Sequence, residues 1–160
     1  MKKRVLWLCT LAVLVFIAMG CDNAATNDNN EEPFEGTLTG TSWKLIAVVD
    51  AANNVSREPG YGERGWRYDV YTITFGDSGY LWGRSERNSI YGQYHTDYDA
   101  DILFLHDVMT TAVCCDWGDG MLYSSVFVGI NCSRSFKLYS QHLHIFYNDG
   151  KEYLKFNKIE

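Results

Sequence analysis

A mainly β fold, a small antiparallel β-barrel-like domain with one short helix, is what this sequence predicts, on three observations. From about Gly40 to Glu160 the apolar residues recur mostly with period two, the spacing of a strand that buries one face. The runs are short and separated by turn residues, most clearly Asn148-Asp149-Gly150 between two alternating stretches, where Asp-Gly is a strong hairpin signal. Only one segment fits a helical template. Several short strands with turns between them, plus one helix, favour a small antiparallel barrel or sandwich.

Taken in order, Trp43 to Val49 is a nearly continuous apolar run of strand length. Tyr71, Ile73 and Phe75 alternate with Thr72 and Thr74. Gly76-Asp77-Ser78-Gly79 signals a turn, and Tyr80-Leu81-Trp82 opens the return strand, so Tyr68 to Arg84 reads as a hairpin. Ile90, Gly92 and Tyr94 continue the pattern, Ile102 to Leu105 is a further short strand, and Phe136 with Leu138 another. Tyr123, Val126, Phe127 and Ile130 fill the helical i, i+3, i+4, i+7 positions with Asp119 available as N-cap; the β-branched content of that stretch leaves a strand open. Leu143, Ile145 and Tyr147 alternate into the Asp-Gly turn, and Tyr153 to Phe156 returns.

Ahead of this domain lie two segments of different composition. Lys2, Lys3 and Arg4 precede an uncharged run from Val5 to Met19 that ends on Gly20, the layout of an export signal. The run is shorter than the ~20 apolar residues a spanning helix needs. Ala18-Met19-Gly20-Cys21 resembles the lipobox of bacterial lipoproteins, in which the cysteine is acylated and becomes the new N-terminus. Residues 1–20 therefore read as a lipoprotein signal peptide and Cys21 as the lipidation site. Residues 21–39 are dense in Asn, Asp, Glu and Ala; such chain buries too little to offset its ordering entropy and reads as a flexible tether. Residues 40–160 are enough for one small domain. Removing residues 1–20 takes away Lys2, Lys3 and Arg4 and no acid, leaving 11 basic against 20 acidic residues, a formal net of −9. Nucleic acid is a poor candidate partner on that balance, and none is expected.

The order Trp43-Lys44-Leu45, then Tyr71 to Phe75 and a turn, then Gly83-Arg84-Ser85-Glu86-Arg87-Asn88 leading to Gly92-Gln93-Tyr94, resembles the META/HslJ-like domain. The likeness runs on through Thr110-Thr111-Ala112-Val113-Cys114 to Leu154-Lys155-Phe156. The resemblance implies a single small barrel-like domain with one helix, often lipid-anchored in a bacterial envelope, similar in fold to some secretion-system pilot lipoproteins and without established catalytic residues. Many members carry a cysteine just before the asparagine that Asn88 matches. Arg87 stands there in this chain.

Other constellations have simpler readings. Gly60-Tyr61-Gly62-Glu63-Arg64-Gly65 spells G-x-G-x-x-G, but Pro59 and a polar loop precede it and strand-like sequence follows, whereas a dinucleotide site needs a strand before and a helix after. Asp97, Asp99 and Asp101 alternate as in a calcium loop, yet Ile102 and Val108 stand where that loop needs Gly and Glu; a solvated turn fits better. His142 and His144 share one strand face opposite Leu143 and Ile145 and read as solvent-facing, with no third ligand marked. Ser85 lacks the context of a nucleophile elbow. In an exported chain one disulfide can join Cys132 to Cys114 or Cys115, leaving one thiol; buried unpaired cysteines are the alternative.

With Leu81, Ile90 and Tyr94 facing inward, Tyr80, Trp82 and Tyr91 point outward on adjacent strands. Outward aromatics mark a binding surface, unless the Gly60 to Trp66 loop covers them. The sequence thus predicts a non-enzymatic, membrane-anchored binding protein with no cofactor, its partner a protein, a glycan or a small apolar ligand. A lipocalin-like carrier and a pilot- or chaperone-like lipoprotein are the alternatives. An interior packed with Trp43, Leu45, Ile73, Phe75 and Leu143 would leave a carrier no room.

Overall fold

The computed structural model describes residues 34, 36–60, 70–111, 118–129 and 131–159. Nine strands and one helix are set out along them: β1 (Thr41–Asp50), β2 (Val55–Arg57), β3 (Thr72–Phe75), β4 (Tyr80–Arg84), β5 (Ser89–Asp97), β6 (Ile102–Thr110), α1 (Asp119–Phe127), β7 (Cys132–Leu138), β8 (His142–Tyr147) and β9 (Glu152–Ile159). All pairings are antiparallel. The order runs β1-β3-β4-β5-β6-β7-β8-β9, and β9 pairs back onto β1 from Ser42↔Ile159 to Asp50↔Glu152. Eight strands therefore close a barrel, with β2 added along the second half of β1 where β3 has left it. Closure removes the exposed edges that an open sheet of this length would carry.

The expected alternation is present in the strands, and it points into one contiguous core. Trp43, Leu45, Ile73, Phe75 and Leu143 are each at most 1% exposed, and they belong to one cluster with Leu81, Ile90, Leu103, Leu105, Phe136 and Phe156. An eight-strand barrel is just wide enough for its own side chains to fill.

Each end is closed by a different piece of chain. At one end α1 lies between β6 and β7 in sequence and turns Tyr123, Val126 and Phe127 into the core. The Tyr123 ring sits 5.5 Å from Tyr71, 5.1 Å from Phe127 and 6.4 Å from Phe156, and its hydroxyl donates to the Thr72 carbonyl at 2.5 Å. Gly83 is needed there, because a Cβ on it would stand 2.5 Å from the Thr72 oxygen and 3.1 Å from the Tyr123 hydroxyl. At the other end Leu38 is fully buried. Its amide donates to the Tyr98 hydroxyl at 2.8 Å, and Phe34 N–H reaches Leu138 O at 3.0 Å. Leu38 thus belongs to the fold, although it lies in the stretch whose polar composition reads as tether; one buried leucine among polar neighbours does not change a window average.

The helix begins one residue earlier than the capping pattern suggests. Gly118 occupies the N-cap position and Asp119 is the first helical residue. Its carboxylate is engaged elsewhere: Arg57 grips it with two N–H groups at 2.5 and 2.6 Å, and the Gly60 amide donates at 2.5 Å. This contact pins the β2 hairpin to the start of α1. The Arg57 hydrogen bond holds the Asp119 carboxyl below the usual carboxylate value against an opposing effect of burial, and the Gly60 amide adds to the lowering. A lowered folded value stabilises above the ordinary Asp pKa of ~3.9 and is lost as pH falls through the lower one. Because Arg57 is half exposed, solvent screening limits the contribution to about 1 kcal/mol. Asp119→Asn should cost about that much at pH 7 in urea unfolding, and the gap to the parent protein should narrow as pH falls below the ordinary Asp value and close once the folded carboxyl is protonated. A gap that persists at low pH would assign the effect to packing instead. Ile130, the last position of the helical template, lies outside the described residues.

β6 is longer than the four residues its first run suggests. It continues to Thr110, and its phase changes on the way. Tyr91 pairs with Met109 and Gln93 with His106, so Gly92 faces two residues, Asp107 and Val108. Asp107 takes the extra turn at φ 49, a left-handed conformation that Asp tolerates better than most residues. This β-bulge turns Val108 into the core and Met109 out.

Candidate binding surface

Outward positions on β4, β5 and β6 come together in cross-strand rows. Trp82 pairs with Tyr91, and Tyr91 with Met109; Tyr80 pairs with Gln93, and Gln93 with His106; His95 pairs with Phe104. Tyr80 is 54% exposed, Trp82 50%, Tyr91 46% and Met109 65%. The sequence-derived trio of Tyr80, Trp82 and Tyr91 is therefore one patch of half-exposed residues; the loop that could cover it lies, beyond Gly60, outside the described residues. The Trp82 ring leans over Gly76, whose Cβ, if present, would come within 2.6 Å of it. An open groove of about 430 Å³ runs between these side chains, lined by Tyr80, Leu81, Trp82, Tyr91, Gly92, Gln93, Asp107 and Met109. A second depression of about 570 Å³ follows on the same strands, lined by His95, Thr96, Asp97, Tyr98, Asp99 and Phe104.

A hydrogen-bonded pair of histidines stands at the near edge of the second depression. His106 Nδ1 meets Asn131 Oδ1 at 3.0 Å, and His106 Nε2 meets His95 Nδ1 at 2.9 Å. Ring centres 4.9 Å apart with planes 14° apart are compatible with that bond only if the imidazoles lie more side by side than face to face. His95 in turn stacks on Phe104 at 4.4 Å and 11°.

Met109, Gln93, His95, His106 and Phe104 were not marked by sequence reasoning. Alternation through Leu103 and Leu105 would have placed Phe104 and His106 outward, but the break at Asp107-Val108 hides Met109. A glycine inside a strand, here Gly92, is the signal for such a bulge.

The remaining sequence candidates go elsewhere. His144 is buried, against the solvent-facing expectation, with the Tyr139 ring at 4.8 Å and the Tyr153 ring at 4.5 Å; aromatic neighbours on its own face cover it, which strand alternation cannot show. Among the described residues no group of three or more His, Cys, Asp or Glu is placed to hold a metal. Asp97, at the end of β5, and Asp99 and Asp101, in the turn that follows, are exposed, and Asp97 accepts from Ala100 N–H at 3.1 Å. Ser85 is buried and tied to the Asn88 backbone. Cys132 is half buried with a free thiol 3.9 Å from Phe127 O; Cys114, Cys115, Cys21 and the glycines of the G-x-G-x-x-G stretch beyond Gly60 lie outside the described residues. Tyr147 stands near Arg57, Asp119 and Glu152, and burial first, then Glu152, push its phenol up to about 12. It stays protonated in any neutral medium. No described helix is long and apolar enough to cross a membrane.

No protein-family model matches the chain, and no curated protein matches it. Among solved structures it is similar to a protein from Burkholderia xenovorans determined by NMR, at 21% identity and TM-score 0.54, over 76% of this chain and 83% of that one. It is also similar to a DUF4847 family protein from Bacteroides vulgatus ATCC 8482, at 15% identity and TM-score 0.51, over 72% of this chain and 90% of that one. At these identities the likeness is one of fold: a small β domain of this kind is built by bacterial sequences that share few residues with it.

Proposed function

We propose that this chain is a lipid-anchored bacterial envelope protein that acts by binding rather than by catalysis, and that it binds through the outer face of β4, β5 and β6. The observation that carries this is the half-open aromatic groove of Tyr80, Trp82, Tyr91 and Met109 on a barrel whose inward side chains already form one mutual core. Apolar rings left half in water are costly and mark contact surfaces. A lipocalin-like carrier is less favoured, because Trp43, Phe75, Phe136 and Phe156 are buried in one packed core, in the interior that its ligand would need. The META/HslJ-like resemblance of the sequence is part of this proposal, and a barrel with one helix agrees with the architecture it implies. Anchoring rests on the signal-like run that ends at Cys21. Acyl chains contribute ~0.8 kcal/mol per buried methylene, and more than one chain holds a domain stably on a membrane.

Cys21→Ser tests the anchoring half. The parent protein is expected in the membrane fraction and labelled by radioactive palmitate; the variant should be unlabelled and either uncleaved or soluble. Palmitate incorporation unchanged by the substitution would end the lipoprotein assignment.

A further inference from the structure

We infer that the outer face of β4–β6 takes an uncharged, extended oligosaccharide laid along β5; this rests on the proposal above that the face is the binding surface, and names its ligand class. The face is a track rather than a pocket. Tyr91, Gln93, His95 and Asp97 point outward at every second position of β5, about 6.6 Å apart, so they span roughly 20 Å. The two depressions lie end to end along that line.

Ring faces and hydrogen-bonding groups alternate on the track. Trp82 and Tyr91 stand at one end, the Gln93 amide and Asp107 carboxylate beside them, and the His95–Phe104 stack beyond. Neither Gln93 nor Asp107 spends its side chain on a hydrogen bond within the described residues. His95 is held through Nδ1 by His106, which Asn131 orients, so its Nε2 remains available. A sugar ring offers the matching pattern, with an apolar C–H face to lie on an aromatic ring and a belt of hydroxyls for amide, carboxylate and imidazole.

Charge argues against anionic polymers, and the open shape against an acyl chain. The linings contain no Lys or Arg, and they hold Asp97, Asp99 and Asp107, so a phosphorylated or sulfated polymer would be repelled. A free acyl chain would want enclosure, and the groove is open.

The test uses the full acylated chain in a detergent without a sugar headgroup, titrated with cellotetraose, chitotetraose and, as a polyanion, dextran sulfate. Saturable binding of at least one neutral tetrasaccharide is expected, with movement of the Trp82 indole and Gln93 amide NMR signals. Trp82→Ala should weaken it by about tenfold or more, Trp82→Phe should retain most of it, and both variants should unfold near the parent's midpoint. Absence of saturable binding of either neutral sugar up to about 10 mM, preference for dextran sulfate, or affinity indifferent to Trp82→Ala would overturn the inference. If no sugar binds and in-cell cross-linking captures a protein through the parent but not through Trp82→Ala, the glycan is wrong and the binding face stands. If Trp82→Ala changes neither, both fail.

Discussion

Tyr123→Ala should lower the unfolding free energy by about 3–5 kcal/mol, the cost of emptying a fully buried aromatic site. The ring is the part of α1 that closes one end of the barrel, touching Tyr71, Phe127 and Phe156. α1 has nine residues, too short to be stable on its own, so its packed face is what holds it. A domain of this size has only ~5–15 kcal/mol in hand, and the melting temperature should fall by roughly 10 °C or more. Tyr123→Phe separates the ring from its hydroxyl: only the bond to Thr72 O is lost, at about 1 kcal/mol. Burial drives the phenol's pKa well up, so the group at stake is the neutral O–H donor. Thermal unfolding of the two variants checks both values. Equal, small losses would place Tyr123 outside the core.

Gly92→Ala is expected to cost about 1–3 kcal/mol, as an overpacked site does, and to disturb the groove as well. Its φ is not the issue. A Cβ there would lie 2.6 Å from Val108 Cγ2, 2.7 Å from Val108 Cα and 3.0 Å from His106 O, and two of those atoms are backbone. The bulge on β6 must open to accept it. Since that bulge is what turns Met109 outward beside Tyr91, amide NMR shifts should spread from Asp107 to Met109 along with the loss of stability. A loss without such shifts would mean that side chains alone absorbed the clash.

These two positions show where sequence reasoning reached and where it stopped. Strands with clean alternation were legible, because Ile73 and Phe75, or Leu143 and Ile145, enter the core by parity alone. The same parity put Tyr80, Trp82 and Tyr91 on the outside of the wall, and that is where they lie. What parity cannot carry is a change of phase. At Asp107 one extra residue inverts the rest of β6, so Met109 joins the patch although simple counting past Leu105 would send it inward. Long-range partners were illegible for a different reason. Asp119 has the composition of an N-cap, and its engagement with Arg57, 62 positions earlier, depends on how the β2 hairpin folds back. His144 has strand parity for solvent, and only the neighbouring Tyr139 and Tyr153 rings bury it.

That the wall of β4–β6 carries its aromatics for contact, and not for its own stability, is tested most directly by denaturant unfolding of Trp82→Ala. Trp82 is half exposed, with the edge of its ring against Gly76, so the loss should be at most about 1 kcal/mol, close to that of an ordinary surface substitution. A loss of ~3–5 kcal/mol, the range for a buried tryptophan, would make Trp82 part of a second core and remove it from any binding face.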